Sequence, residues 1–380
     1  MLAVSWPDWG TTMATTSGQT TEHSEPIQGV TELDLARTQV SGSWKAKPAQ
    51  LAIAVARWGA NYIPLAIFKQ IPRQLIIDVT NSCNLRCPVC PVTFAMTRPR
   101  GLMSFELFRL IIDDFIAEER KPEIFFNFSG EPTLNKHLAE MITYASKNGH
   151  STFVSTNATR LGPELAECMI DAGLSRIALC LDGFSKSAHE GYRINSDFDA
   201  VKANIEMFLA TRRRLGAKNP ITVLQTLLTS YSEVQIGDIL KWAKECGFDR
   251  VRFKTFSLGS HTSTEMRAAY SHFLPESRAF RRHADARESI LCSIPRSQTV
   301  VFWNGDLGLC CIDYDQVIQL PNVKKTGFLS AFRSDEAARA RRCGFAKQFK
   351  ICQSCSYSNA DKLGFIVDLR SVCNPPLLRI

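Results

Sequence analysis

Six short runs rich in β-branched and aromatic residues alternate with helical stretches between residues 75 and 258, and this alternation limits the fold more than any other feature. Strands that alternate with helices form a parallel sheet with right-handed crossovers. Because six units are fewer than the eight of a complete barrel, we predict an α/β fold, a partial (β/α)6 TIM-like barrel. The predicted strands are Leu75–Val79, Ile124–Phe128, Ser151–Ser155, Arg176–Leu181, Ile221–Leu228 and Arg250–Phe256, and the predicted helices are Ser104–Glu119, Leu138–Asn148, Pro163–Ala172, Phe198–Leu215 and Glu233–Cys246.

The rest of the chain predicts four further segments around a barrel of residues 73–260. Residues 1–45 are rich in Thr, Ser, Gly and Gln and are expected to be disordered. Residues 46–72 are mostly apolar, but charged and polar residues and Pro64 interrupt them, so we predict a packed helix and no membrane span, with membrane association as the alternative. Residues 261–290 are predicted to be a connection that contains a helix, and residues 291–380 a small cysteine-rich iron–sulfur domain.

The cysteine content points to metal or cluster ligation. The chain has 13 cysteines and no N-terminal secretory signature, so we expect a cytoplasmic protein without a disulfide framework. The net charge is +8, but the basic residues are scattered along the chain. We therefore expect no nucleic-acid partner, while an acidic or phosphorylated substrate remains open.

Three cysteines, Cys83, Cys87 and Cys90, follow the first predicted strand with C-x3-C-x2-C spacing. Thiolate is the usual ligand of iron–sulfur clusters, and three thiolates hold three irons of a [4Fe–4S] cubane. The fourth iron then has an open position for a reactant. In parallel β/α folds, functional sites lie at the carboxyl ends of the strands, where this run falls.

A second motif, Ser129-Gly130-Glu131-Pro132, follows the second predicted strand. Glycine at 130 lets a ligand approach the backbone closely, and the carboxylate of Glu131 suits an ammonium partner. A simple turn is the alternative interpretation.

Together these motifs resemble the radical S-adenosylmethionine (radical SAM) superfamily. The cysteine run matches that family's signature, and Ser129–Pro132 resembles its Gly-Gly-Glu-Pro element with serine in first place. The resemblance implies that the open iron chelates SAM, and that reductive cleavage of SAM yields methionine and a 5′-deoxyadenosyl radical.

The same resemblance implies further cofactor-binding residues at the ends of later strands. Asn157 and Asp182 would contact SAM or substrate, and Arg193 would pair with the SAM carboxylate, although a surface salt bridge is the alternative for Arg193. Lys254, at the end of the sixth predicted strand, either faces the cavity as a catalytic candidate or flanks it.

A third set of cysteines, Cys292, Cys310, Cys352 and Cys355, lies near the C-terminus. Cys292 and Cys310 belong to a C-x12-G-x4-C element, in which Asn304-Gly305 predicts a β-hairpin turn. The pattern resembles the SPASM/Twitch domains of radical SAM enzymes, and it implies one auxiliary [4Fe–4S] cluster. Structural zinc is the alternative.

The remaining cysteines are less constrained. Cys343 and Cys373 are candidate hydrogen-atom donors or replacement ligands, with a free thiol as the alternative. Cys311 is not expected to reach the same cluster as its neighbour Cys310. Cys168 and Cys246 lie in helical patterns and are expected in the core.

The resemblance implies hydrogen abstraction from a small polar substrate, such as a sugar, aminocyclitol or nucleoside, in natural-product (antibiotic) biosynthesis. We expect oxidation, with the auxiliary cluster as electron acceptor and a flavodoxin- or ferredoxin-type electron donor. The alternatives are a redox-neutral epimerase, dehydratase or decarboxylase, modification of a ribosomal peptide, and a non-enzymatic cluster or zinc protein.

Overall fold

The computed structural model describes residues 48–379 apart from 260–261, 283–288, 354, 356, 358–362 and 371–376. Residues 1–45, for which disorder is predicted, and Cys373 lie outside the described residues. Ten strands form one sheet in the described part of the chain. These strands are β1 (Gln74–Ile77), β2 (Glu123–Phe125), β3 (Thr152–Thr156), β4 (Arg176–Cys180), β5 (Ile221–Leu228), β6 (Arg250–Thr255), β7 (Gln298–Val301), β8 (Leu307–Gly308), β9 (Gly364–Asp368) and β10 (Leu377–Arg379).

The first six strands lie side by side in chain order and run parallel, as predicted. The full order across the sheet is β10-β9-β6-β5-β4-β3-β2-β1-β7-β8, and each pair from β1–β2 to β5–β6 is parallel. This confirms the partial (β/α)6 barrel, because the strand order is open and does not return on itself. All six carboxyl ends therefore meet at one rim.

Helices cover the outer face of the sheet. The bounds of the five predicted helices differ from the prediction by at most three residues. The α-helices are α1 (Pro48–Gly59), α2 (Leu65–Phe68), α3 (Pro91–Phe94), α4 (Phe105–Ala117), α5 (Leu138–Lys147), α6 (Pro163–Asp171), α7 (Lys186–Tyr192), α8 (Phe198–Arg214), α9 (Ile236–Cys246), α10 (Thr264–Tyr270), α11 (Ile294–Ser297), α12 (Val323–Thr326), α13 (Phe328–Arg333), α14 (Asp335–Phe345) and α15 (Lys350–Gln353).

Capping explains several of these bounds. The hydroxyl of Ser104 accepts a hydrogen bond from the Leu107 amide at the start of α4, which satisfies one of the free donors of a helix N-terminus. Gly149, Gly173 and Gly247 have φ values of 80°, 78° and 84° after their helices, the left-handed conformation that glycine adopts without strain. The expected single N-terminal helix is instead broken at Pro64 into α1, a 3-10 turn and α2.

Alternation along the strands separates a helix-facing core from a barrel interior. On β6, for example, Val251 and Phe253 are fully buried in the core between sheet and helices. The intervening Arg252 and Lys254 therefore point to the opposite, interior face. The floor of the interior is apolar, with Phe153, Ala178 and Val223 in one cluster.

Residues after 290 extend the barrel sheet at both of its edges. Strand β7 pairs in parallel with β1, and β9 pairs antiparallel with β6. The predicted hairpin is confirmed, since β7 and β8 pair antiparallel around Gly305, whose φ is 94°. In the part of the chain that is described, no helix is both long enough and apolar enough to cross a bilayer.

Candidate active site

The three-cysteine loop leaves β1 and crosses the rim of the sheet. Cys87 is buried and Cys83 and Cys90 are half-buried, and Cys90 is the N-cap residue of α3. The Leu85 amide donates to the Cys83 sulfur at 3.4 Å, and the amides of Val92 and Thr93 hydrogen-bond the Cys90 sulfur. Hydrogen bonds of this kind stabilise cluster-ligating thiolates.

An apolar wall encloses this loop. The cluster of buried residues around the cysteines contains Leu85, Val89, Tyr192, Phe256 and Phe273. Burial raises the pKa of all three thiols, that of Cys87 to about 12. The free thiols therefore hold their protons at neutral pH, and metal binding would release them.

The Ser129–Pro132 loop packs directly on the cysteine loop. A Cβ atom at position 130 would overlap the carbonyl oxygens of Thr80 and Ser82, and the Glu131 amide donates to the Ser82 carbonyl at 2.8 Å. Glycine is therefore needed here because another stretch of backbone approaches it, whereas the sequence suggests the approach of a ligand.

Glu131 joins the ends of two strands. Its buried carboxylate accepts hydrogen bonds from the amide and hydroxyl of Thr133, the hydroxyl of Thr156 and the amide of Asn157, at 2.6–3.1 Å. Burial raises the pKa of Glu131 against the lowering effect of these bonds. The carboxylate is thus held beside the cysteines, and its predicted contact with an ammonium group stays a prediction.

The other predicted cofactor-binding residues meet at the same rim. The Asn157 side-chain amide lies 4.0 Å from the Cys83 sulfur. Arg193 donates from Nε to Asp182 at 2.6 Å, and this pair is largely buried. Arg193 also interacts electrostatically with Cys83, Cys87 and Cys90, so it is a buried cation beside the three thiols and not part of a surface salt bridge.

Lys254 belongs to the barrel interior. Its side chain is accessible to solvent, yet surrounding protein lowers its pKa. It interacts electrostatically with Arg252, Arg282, Cys180 and Asp182. It lies on the interior face of β6, and its predicted role as a catalytic candidate stays a prediction.

The C-terminal cysteines line one cavity. The four predicted ligands are there, and Cys311 lines the same cavity, so whether it reaches the same cluster as Cys310 stays a prediction. Cys311 interacts electrostatically with Cys292 and Cys355. Backbone amides again hydrogen-bond sulfur atoms, from Ile294 to Cys292 and from Ile312 and Asp313 to Cys310.

Four other cysteines differ in their surroundings. Cys343 is buried on α14 and is not among the described residues that line the cysteine cavity. The expectation of a core position is wrong for Cys168, which is exposed, and Cys246 is only half-buried. Cys180 faces the barrel interior, where its sulfur accepts from the Gln225 side chain at 3.3 Å.

Sequence reasoning missed a polar connection between the cysteine loop and the C-terminal segment. Arg98 pairs with fully buried Asp78 at 3.0 Å and lies 4.2 Å from the centre of the Phe302 ring. Its Nε donates to the carbonyl of Tyr314. Nothing in the local pattern around Arg98 indicates these contacts, because their partners are distant in sequence.

Comparison with known proteins agrees with this geometry. The model of the radical SAM superfamily matches residues 77–266, and that of the SPASM iron–sulfur cluster-binding domain matches residues 292–356. The chain therefore belongs to the radical SAM superfamily. The second match supports the cluster interpretation of the C-terminal cysteines over structural zinc.

Individual relatives share only part of their length with this chain. The Fe-coproporphyrin III synthase of Methanosarcina barkeri is 32% identical over 127 residues, 33% of this chain and 31% of that protein. The PqqA peptide cyclase of Bradyrhizobium diazoefficiens is 26% identical over 184 residues, 48% of this chain and 46% of that protein. Among solved structures, Streptococcus suis SuiB bound to S-adenosylmethionine has a TM-score of 0.55 at 16% identity, covering 76% of this chain and 72% of that one, and it supports the fold alone.

Membership of the superfamily makes this protein an enzyme and confirms the expected cofactors: SAM, the [4Fe–4S] cluster that binds it, and an auxiliary iron–sulfur centre. The residues present fit these groups, because each set offers soft thiol donors with backbone amides directed at sulfur atoms.

Proposed function

We propose that this enzyme oxidises a small polar substrate, such as a sugar, aminocyclitol or nucleoside, in natural-product biosynthesis. Cys83, Cys87 and Cys90 would hold the SAM-binding cluster. Cys292, Cys310, Cys352 and Cys355 would hold one auxiliary cluster, with Cys311 beside them. When bound, the first cluster supplies the electron that cleaves SAM to a 5′-deoxyadenosyl radical, and the second supplies an electron acceptor.

The observation that supports the proposal is that Lys254, on the interior face of the barrel, lies within electrostatic range of residues at both cysteine sets. Lys254 interacts electrostatically with Asp182, which holds Arg193 beside the first set. Cys311, in the cavity of the second set, interacts with the same Lys254. A substrate in this interior would lie between the radical source and the acceptor.

The chain's own residues would orient SAM and exclude water. Arg193 would pair with the SAM carboxylate, since Asp182 fixes its guanidinium through Nε and leaves the terminal nitrogens for a second partner. Asn157 would contact SAM or substrate from the end of β3. The apolar wall of Leu85, Val89 and Phe256 would keep water from a reactive radical.

A redox-neutral reaction is the second candidate, and Cys180 favours it. Its thiol faces the interior and burial raises its pKa, so it stays protonated and able to return a hydrogen atom. Such a step would give epimerisation without net oxidation of the substrate, and the thiyl radical left on Cys180 would take one electron from the proposed electron donor and one proton from solvent to regenerate the thiol.

Modification of a ribosomal peptide is a further alternative. It rests on the similarity to the PqqA peptide cyclase and on the fold shared with Streptococcus suis SuiB, which has been solved bound to its precursor peptide SuiA. Copurification of a small precursor peptide with this enzyme would favour it.

Anaerobic reconstitution followed by iron counting and detection of 5′-deoxyadenosine tests the proposal. We expect about eight irons per chain, as two [4Fe–4S] clusters require, and formation of 5′-deoxyadenosine from SAM with dithionite. Replacement of Cys83, Cys87 or Cys90 by Ala should abolish cleavage, while exposed Cys168→Ala serves as the control. About four irons per chain in the wild type would be evidence against the auxiliary cluster.

Product mass then separates the two candidate reactions. Incubation with sugars, aminocyclitols and nucleosides in D₂O should give a product lighter by two hydrogens if the substrate is oxidised. A product of unchanged oxidation state with one solvent deuterium, lost in Cys180→Ala, would instead establish the redox-neutral reaction.

We also propose a flavodoxin- or ferredoxin-type protein as the electron donor and a cytoplasmic location. Replacing dithionite by flavodoxin, its reductase and NADPH should sustain SAM cleavage.

A further inference from the structure

We propose that Arg252, Lys254 and Arg282 form a binding site for an anionic group of the substrate, a carboxylate or a phosphate. The site lies in the barrel interior, and it deepens the proposed function because it specifies the class of substrate that the interior accepts. It therefore rests on the proposal that the interior is the substrate site.

Strand geometry brings these cations to one place. Arg252 and Lys254 are two residues apart on β6, so they share its interior face. Arg252 is opposite Gln225 of β5, which in turn is opposite Cys180 of β4. Arg282 reaches the same place from the segment after α10, since it donates to the carbonyl and hydroxyl of Thr255 at the end of β6.

These three cations lack acidic partners among the described residues, whereas the other arginines of the interior face are paired. Arg176 pairs with Glu123 near the floor, and Arg250 pairs with Asp368 at 3.2 Å. In contrast, the Nε atom of Arg252 is buried without a hydrogen-bond partner. The side chain of Lys254 makes no hydrogen bond or ion pair with any described residue.

The arrangement is unfavourable for the protein alone. Like charges repel, and burial lowers the pKa of Arg252 and of Arg282, while the surrounding protein and the two arginines lower the pKa of solvent-accessible Lys254. The nearby carboxylate of Asp182 is already paired with Arg193. A buried charge without a partner lowers the stability of the fold. Such unfavourable arrangements are found mainly at functional sites. An anion would offset both the repulsion and the lost hydration.

The position suits a substrate. Tyr357 lines the C-terminal cysteine cavity and interacts electrostatically with Arg252 and Arg282. On the other side, Lys254 interacts with Asp182. An anion held here would anchor a substrate between the two proposed clusters, and arginine is well suited to bidentate recognition of carboxylate or phosphate.

The test is affinity labelling of the reconstituted, full-length enzyme. Pyridoxal 5′-phosphate forms an imine with accessible lysines, which cyanoborohydride traps for peptide mapping. Labelling is repeated with increasing pyrophosphate, citrate, neutral myo-inositol or SAM. Lys241, exposed on α9, is the internal control. Arg214→Gln, which removes an exposed cation paired with Glu167 outside the barrel, is the matched control for Arg252→Gln and Arg282→Gln.

We expect Lys254 to be labelled and to be protected by pyrophosphate or citrate but not by myo-inositol. Which anion protects at the lower concentration distinguishes phosphate from carboxylate. Each of Arg252→Gln and Arg282→Gln should raise the half-protecting concentration by about tenfold, as expected for loss of one charge-assisted hydrogen bond. Arg214→Gln should change nothing.

Three results would overturn the site: no labelling of Lys254, equal protection in wild type and Arg252→Gln, or protection by SAM as strong as by the two anions. The last would assign the cations to SAM. Because labelling needs no turnover, these outcomes are independent of 5′-deoxyadenosine formation, whose loss would count against the proposed function instead. Retained cluster absorbance in each variant shows that it has folded.

Discussion

At the scale of single residues, His189 shows how burial sets protonation beside the candidate SAM site. The ring is 1% exposed. Its Nδ1 accepts from the Asp182 amide at 3.2 Å, and Nε2 hydrogen-bonds the Ser196 hydroxyl at 2.9 Å. Burial lowers the pKa of His189 to about 4. The neutral ring therefore supports the strand end that carries Asp182 and, through it, Arg193.

This histidine predicts acid sensitivity. Below the ordinary histidine pKa of about 6.5, His189 is protonated in the unfolded chain, whereas in the folded protein its ring stays neutral until the pH approaches 4. The free energy of unfolding therefore decreases as the pH falls from about 6.5 towards 4. A full shift of this size corresponds to on the order of 3 kcal/mol. Urea unfolding at several pH values measures it.

The comparison is made between variants at each pH, because acid also attacks iron–sulfur clusters. His189→Gln should show a smaller loss of stability on acidification than the wild type. Equal pH dependence in His189→Gln and the wild type would contradict the assignment.

At the scale of elements, the candidate site depends on contact between two loops. The Ser129–Pro132 loop touches the cysteine loop through the backbone, and Glu131 extends this contact to the end of β3. Loops after three neighbouring strands are thereby joined into one unit around the cysteines, which limits how far the thiols can move apart.

Gly130→Ala should disrupt that unit. The new Cβ would overlap the Thr80 and Ser82 carbonyl oxygens, so we expect a loss of about 1–3 kcal/mol, typical of overpacking, and lower iron incorporation. Gly237→Ala on α9 meets nothing within 4 Å and should be neutral or slightly stabilising. Chemical unfolding and iron analysis measure both effects, and wild-type values in Gly130→Ala would refute the steric argument.

At the scale of the whole molecule, strands from the C-terminal segment belong to the same sheet as the barrel strands. Strand β7 covers the edge of β1 and β9 covers that of β6. Arg98 adds a buried link between the cysteine loop and this segment.

Truncation after residue 290 should therefore expose two strand edges, which favour aggregation. We expect the shortened chain to lack a cooperative unfolding transition and to be insoluble, and coexpression of residues 291–380 to recover soluble complex. A shortened chain that unfolds cooperatively and cleaves SAM would instead support the predicted boundary at 290–291 as a true domain boundary.

Much of this molecule follows from local sequence. The six strands and the five predicted helices between residues 74 and 255 lie close to their predicted bounds, because side-chain periodicity, capping residues and glycine at C′ positions act over a few residues. The sequence also locates the two cysteine sets. The first set directly follows β1 and so lies at the rim of the barrel, and the second set lies near the C-terminus.

Only the tertiary structure decided which side chains meet. It joined Glu131 to Thr156 and Asn157, brought Cys311 to the cavity of Cys292, and gathered Arg252, Lys254 and Arg282 in one interior. Their partners lie on neighbouring strands and far along the chain, so strand register and the order of strands in the sheet determine these contacts. The alternation of strands and helices by itself determined the barrel and its rim, whereas long-range packing decided the charge and the chemistry of its interior.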